Sequence, residues 1–118
     1  MRVMITGSRD WFNEKAIREA LEELDLDNGG FHTLVSGGCP TGADFIAEEW
    51  AHALGWQVER HLANWAEFGK AAGPRRNAEM VKSGVDICLA APLPQSRGTV
   101  DCMDRARDAG IVVLVIKP

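Results

Sequence analysis

The chain has 118 residues, 46% hydrophobic, 25% charged and 7% aromatic, a size and balance that argue against disorder, against a fibre and against two domains. A single domain over residues 1–118 buries roughly two-thirds of the surface its unfolded form exposes, so its core calls for neither a metal nor a disulfide. Thirteen Lys and Arg against seventeen Asp and Glu give a net charge of −4, the wrong sign for a protein whose whole surface attracts nucleic acid. Cys39, Cys88 and Cys102 are odd in number and lack a C-x-x-C pair, which points to a reducing, cytoplasmic setting. No run approaches the ~18 apolar residues of a membrane span, and Met1 leads straight into strand-like sequence, so neither a membrane partner nor export is expected.

Short β-branched apolar runs alternate with amphipathic segments along the chain. The runs are Arg2–Thr6, Thr33–Ser36, Gln57–Leu62, Asp86–Ala91 and Ile111–Ile116. The last is unbroken and reads as a strand buried on both faces. The first helix opens at Asn13, a good N-cap, with Ile17, Ala20, Leu21 and Leu24 on its apolar face, and ends at Gly29-Gly30. A second runs from about Thr41 to Leu54, with Ala43, Ile46, Ala47, Trp50, Ala53 and Leu54 inward and Asp44, Glu48 and His52 outward. Pro74 suits the first position of a third helix and Gly84 its C′ position. Thr99–Ala109 forms a fourth, with Cys102, Met103, Ala106 and Ala109 inward, and Ala63–Gly73 is the one longer connection. This order predicts an α/β, Rossmann-like three-layer fold: a five-stranded, mainly parallel sheet with helices on both faces.

In such sheets ligands collect beyond the carboxyl ends of the strands, where glycine-rich turns lead into helix N-termini. Four segments arrive there. Gly7-Ser8-Arg9 follows the first strand, where glycine admits a ligand and arginine pairs with phosphate. Ser36-Gly37-Gly38-Cys39-Pro40-Thr41-Gly42-Ala43-Asp44 is a three-glycine strand-to-helix turn with two hydroxyls, suited to an anion through free N–H groups of the helix it opens. Its alternative reading is an ordinary βα turn in which Asp44 favours the first helical turn. In the third, Gly73-Pro74-Arg75-Arg76-Asn77, the amide of Asn77 falls on the apolar face and Arg76 at its edge. Either these two line an anion pocket, or Asn77 satisfies loop backbone and Arg76 pairs with a carboxylate such as Asp10 or Asp44. The fourth, Ser96-Arg97-Gly98-Thr99, again combines arginine, glycine and hydroxyls, with Thr99 also a candidate N-cap.

The remaining candidates carry less. His32, His52 and His61 have no metal-ligand spacing among themselves or with the cysteines, so no metal is expected. Cys39 sits at a helix start without a positioned base, while Cys88 and Cys102 read as core. Trp11 and Trp65 fall in loops near the strand ends, placed either to stack on a base or to anchor a loop. Phe45 points outward and offers a homodimer contact.

The set GSRDW, SGGCPTGAD, AAGPRRNAEM and SRGT resembles the SLOG superfamily of Rossmann-like domains, and most closely its small YspA-like branch, over nearly the whole chain. The resemblance implies binding of a nucleotide or nucleotide-derived ligand, as a sensor or binding module, through Gly7, Ser8, Arg9, Ser36, Gly37, Gly38, Thr41, Gly42, Asp44, Arg76, Asn77, Arg97, Gly98 and Thr99, with no cofactor required. Two relatives imply alternatives. LOG phosphoribohydrolases use an arginine, matched by Arg76, and a glutamate closing P-G-G-x-G-T-x-x-E. Here Gly98-Thr99 match the G-T, Gln95-Ser96 replace two glycines, and Cys102 stands at the glutamate position. A hydrolase would then turn to Arg76 with Asp101 or Asp44 as base. DprA-like proteins bind single-stranded DNA, and Gly7-Ser8-Arg9, Gly42-Ala43-Asp44 and Pro74-Arg75-Arg76-Asn77 approximate their segments. The acidic balance favours a small nucleotide over a polymer.

Overall fold

The structure is a computed structural model that describes residues 1–118. In chain order it runs β1 (Arg2–Gly7), α1 (Glu14–Asp27), β2 (Thr33–Ser36), α2 (Gly42–Ala53), β3 (Gln57–Arg60), α3 (Trp65–Phe68), a 3₁₀ turn at Gly69–Ala71, α4 (Ala72–Lys82), β4 (Ile87–Ala91), α5 (Arg97–Asp108) and β5 (Val112–Val115). All five strands are parallel, in the order β3-β2-β1-β4-β5. The chain builds outward from β1 to β3, then crosses back to lay β4 on the other side of β1. That reversal leaves a crevice at the carboxyl ends of β1 and β4, where a doubly wound sheet takes its ligand.

Period-two alternation divides the core between two layers. Val3, Ile5, Leu34 and Leu89 face α1 and α2, where Ile17, Leu21, Ile46 and Ala47 close the larger cluster. Met4, Val35 and Cys88 face the other way, against Met80, Cys102 and Ala106 of α4 and α5. Each fully buried aliphatic side chain contributes about 1.5–3 kcal/mol, and β1, at the centre of the sheet, buries Val3, Met4 and Ile5 with no exposure. No helix is long and apolar enough to cross a membrane.

Several expectations change. Ile111–Ile116 is not buried on both faces: β5 is an edge strand, and Val112 and Leu114 remain 61% and 44% exposed. They share the face of Ile87 and Leu89, their register partners. α5 covers the opposite face, where Ile111 and Val113 pack. On α2, Asp44 and Glu48 are buried rather than outward, while Ala53 is exposed and Ala51 takes its place inside. Ala109 is exposed as well. Trp11 is core, 3% exposed, its indole N–H donating to the Asn13 carbonyl at 3.0 Å. Asn13 does cap α1, its Oδ1 accepting the Ala16 N–H. α4 starts two residues before Pro74, which occupies the third helical position, still within the turn whose N–H groups lack intrahelical acceptors. Thr99 lies inside α5, and Ser96 is the N-cap residue.

Candidate functional site

An open cleft of about 1340 Å³ occupies the carboxyl ends of the strands. Each of the four predicted segments contributes to it. Gly7, Ser8, Arg9, Gly37, Gly38, Asp44, Arg76, Asn77, Arg97, Gly98, Thr99 and Asp101 all line it. Ser36, Thr41 and Gly42 do not.

Those three shape the loops behind the cleft. The Ser36 hydroxyl, fully buried, donates to Glu48 Oε2 at 2.7 Å and accepts the Gly38 N–H at 3.0 Å, holding the Gly37-Gly38 turn. Glu48 in turn binds Arg60 through two guanidinium nitrogens, which explains how a carboxylate survives with 5% exposure. Thr41 Oγ1 donates to the Arg9 carbonyl. Gly42 has φ +72°, and a Cβ there would overlap the Ser8 and Arg9 backbone. The start of α2 is thereby locked against the β1–α1 loop, with the Ala43 N–H donating to the Ser8 carbonyl at 3.1 Å.

Most of the glycines that line the cleft also make room for protein. A Cβ on Gly7 would meet Ala43 and Ala91, and one on Gly37 would overlap the Arg76 guanidinium. Gly98 alone among the lining glycines has nothing within 4 Å of such a Cβ. It lies in the first turn of α5. The Arg97 N–H folds back to Gln95 and the Val100 N–H reaches Ser96, which leaves the N–H groups of Gly98 and Thr99 without an acceptor from the turn. Thr99 is 4% exposed, and no protein group pairs with its hydroxyl. The turn before it holds Gln95 at φ +68°, a conformation unusual for a residue with a side chain.

Arg9 and Arg97 are exposed at the cleft and make no ion pair. Arg76 differs: Nη1 donates to the Gly37 carbonyl at 3.0 Å and Nε to Asn77 Oδ1 at 3.1 Å. It pairs with neither Asp10 nor Asp44. The Asn77 amide nitrogen donates to the Gly98 carbonyl and to Asp101 Oδ2, so Asn77 is a strut between α4 and the first turn of α5. Asp101 Oδ2 also accepts Arg105 Nε at 2.9 Å.

Asp44 is the one buried carboxylate in the cleft. Burial raises its pKa to about 6, against the Cys39 N–H and the Arg76 charge, which lower it; the neighbouring Glu48 raises it further. Cys102 is fully buried, and burial also raises its thiol pKa. Trp65 lines the cleft and Trp11 does not. Leu62 also lines the cleft and is not among the residues the sequence singles out; its only signal is its place at the end of the apolar run Gln57–Leu62, two residues after β3 stops at Arg60.

Fold and site together define a small Rossmann-like α/β domain with a polar cleft at its topological switch point. The chain belongs to the YspA, cpYpsA-related SLOG family, whose pattern matches residues 1–68. It is 44% identical over 118 aligned positions to the Gene 61 protein of Mycobacterium phage D29, covering 96% of this chain and 94% of that protein. Arg76, Asn77 and the Arg97–Asp101 turn lie beyond the family match, within the stretch shared with the phage protein.

Proposed function

We propose that this protein is a binding module for a compact anionic ligand of the nucleotide type. One observation carries the reading: α5 begins in the cleft with the Gly98 and Thr99 N–H groups free, beside the unpartnered Thr99 hydroxyl and two unpaired arginines, Arg9 and Arg97. Free N–H groups at a helix start, aided by guanidinium forks, are the ordinary means of holding phosphate. Arg76 and Asn77 keep the two halves of the cleft in register. Three arginines, Arg9, Arg76 and Arg97, line the cleft beside three aspartates, Asp10, Asp44 and Asp101, and the chain carries net charge −4, a balance that suits a small anion held by a few directed groups better than a DNA strand.

Calorimetric titration with nucleoside 5′-monophosphates and diphosphates tests this. Arg9→Ala and Arg97→Ala are each expected to weaken binding about tenfold, the loss of one charge-assisted hydrogen bond, with less effect at high salt. Stability should change by less than about 0.5 kcal/mol, since both side chains are exposed. Absence of binding by every nucleotide, or full affinity in the double variant, overturns the proposal.

Hydrolysis is a second reading, favoured by a carboxyl group in the cleft that titrates near pH 6, where a general base works best. Release of free base or phosphate, lost in Asp44→Asn, supports it; no product over prolonged incubation removes it.

A further inference from the structure

Four tryptophans are treated differently by the fold. Trp11 and Trp56 are 3% and 5% exposed with their N–H groups bonded to Asn13 and Asp25, and Trp50 lies half-buried under Arg18. Trp65 keeps 59% exposure where it lines the cleft, and Leu62, which lines it too, keeps 69%. The chain holds this apolar wall in place without covering it. Asn64 caps the single turn of α3 by accepting the Glu67 N–H, and Arg75 of α4 stacks on Phe68 with its guanidinium carbon 4.0 Å from the ring centre. Two glycines provide the seats. A Cβ on Gly38 would lie 2.6 Å from Leu62 Cδ2, and one on Gly73 would lie 3.3 Å from Trp65 Cη2.

This wall follows β3 in the chain and packs on the β2–α2 loop and the start of α4, whereas Arg9 follows β1 and Arg97 opens α5 after β4. The geometry points to Trp65, backed by Leu62, as a stacking platform for the planar heteroaromatic ring of the ligand whose anionic group lies at the start of α5. The inference rests on the nucleotide reading above and adds the recognition of the base. Stacking on an indole accepts any base through its π-face. Apart from the indole N–H, the Leu62–Ala63–Trp65 wall offers no side-chain hydrogen-bonding group, so it discriminates by ring area rather than by base edge: purines bind more tightly than pyrimidines, with little difference between adenine and guanine.

The test titrates the intact protein with the adenosine, guanosine, cytidine and uridine 5′-monophosphates and with ribose 5-phosphate, which lacks the ring. Trp65→Ala is expected to weaken the nucleotides by about 5- to 150-fold and to leave ribose 5-phosphate unchanged. Trp65→Phe retains most of the affinity. In wild type, nucleotide binding quenches tryptophan fluorescence, and the quench disappears in Trp65→Ala. Gly73→Ala is a second variant: it favours the helix yet presses on the indole, so thermal stability rises while nucleotide affinity falls and ribose 5-phosphate affinity holds. Nucleotide binding unchanged in Trp65→Ala overturns the platform and leaves the anion site standing. An equal loss for nucleotides and ribose 5-phosphate likewise overturns it. If wild type binds ribose 5-phosphate but no nucleotide more tightly, the platform fails; if it binds none of the five, the nucleotide reading fails and takes the platform with it.

Discussion

Asp44→Asn should stabilise this protein, and only above a particular pH. The folded chain raises the Asp44 pKa from 3.8 to about 6, chiefly because burial penalises the charged form. Folding therefore tightens the hold on a proton. The stability this provides is complete below pH 3.8, declines as pH rises, and is gone once pH passes through 6. A shift of about two units at about 1.4 kcal/mol each makes ionised Asp44 cost the fold about 3 kcal/mol at pH 8. Asparagine keeps an oxygen to accept the Cys39 N–H, now made to Oδ2 at 3.2 Å, and removes the charge. It removes repulsion from Glu48 and attraction to Arg76 together, and both are contained in the net shift. Urea unfolding of wild type and variant at pH 4, 5, 6, 7 and 8 should show the variant more stable by about 3 kcal/mol at pH 8. The difference should shrink through pH 6 and approach zero at pH 4. A difference that is constant across the series, or a variant less stable than wild type at pH 8, would show that the surrounding dipoles favour the carboxylate after all.

Two further outcomes follow from other contacts. Gly42→Ala forces a left-handed conformation and drives a methyl group into the Ser8–Arg9 backbone; a loss of about 3 kcal/mol or more is expected in denaturant midpoints, and a loss below about 1 kcal/mol would mean that the β1–α1 loop moves aside freely. Glu59 receives a two-pronged hydrogen bond from Arg2 as well as His61, and Arg2 chiefly lowers its pKa from 4.5 to about 2. Here the contribution is present above pH 4.5 and lost as pH falls through 2. The pair is more than a third exposed on the Glu59 side, so Glu59→Gln should cost only about 1 kcal/mol at pH 7 and low salt. It should cost nothing near pH 2, and a pH-independent loss would point to packing instead.

The layer order and the position of the cleft were legible because periodicity reports on burial and because strand–turn–helix junctions carry their glycines openly. Individual assignments failed where the deciding partner lies outside the element itself. Asp44 and Glu48 fall on the charged side of a helical wheel, yet Glu48 is satisfied by Ser36 and Arg60 at the ends of two strands, and Asp44 by the Cys39 N–H. An unbroken apolar run such as Ile111–Ile116 looks the same whether one or two layers cover it, and only the strand order decides. From sequence alone the glycine-rich turns read as room for a ligand. Gly37 and Gly42 instead admit Arg76 and the β1–α1 loop, a distinction that requires knowing which segments converge.

β1 joins β4 with Val3 opposite Ile87, and the Arg2 N–H bonds to an Asp86 carboxylate 84 residues away. Pairing across so long an intervening stretch carries a loop-closure entropy that must be met before the contact yields anything, and such sheets form slowly. The cleft cannot exist until that closure is made, because Arg9 and the start of α5 lie on opposite sides of the seam. Occupancy would therefore act as a latch on this long-range junction. A ligand at one hundred times its dissociation constant adds about 2.7 kcal/mol against opening, and amide exchange along β1 and β4 should slow accordingly.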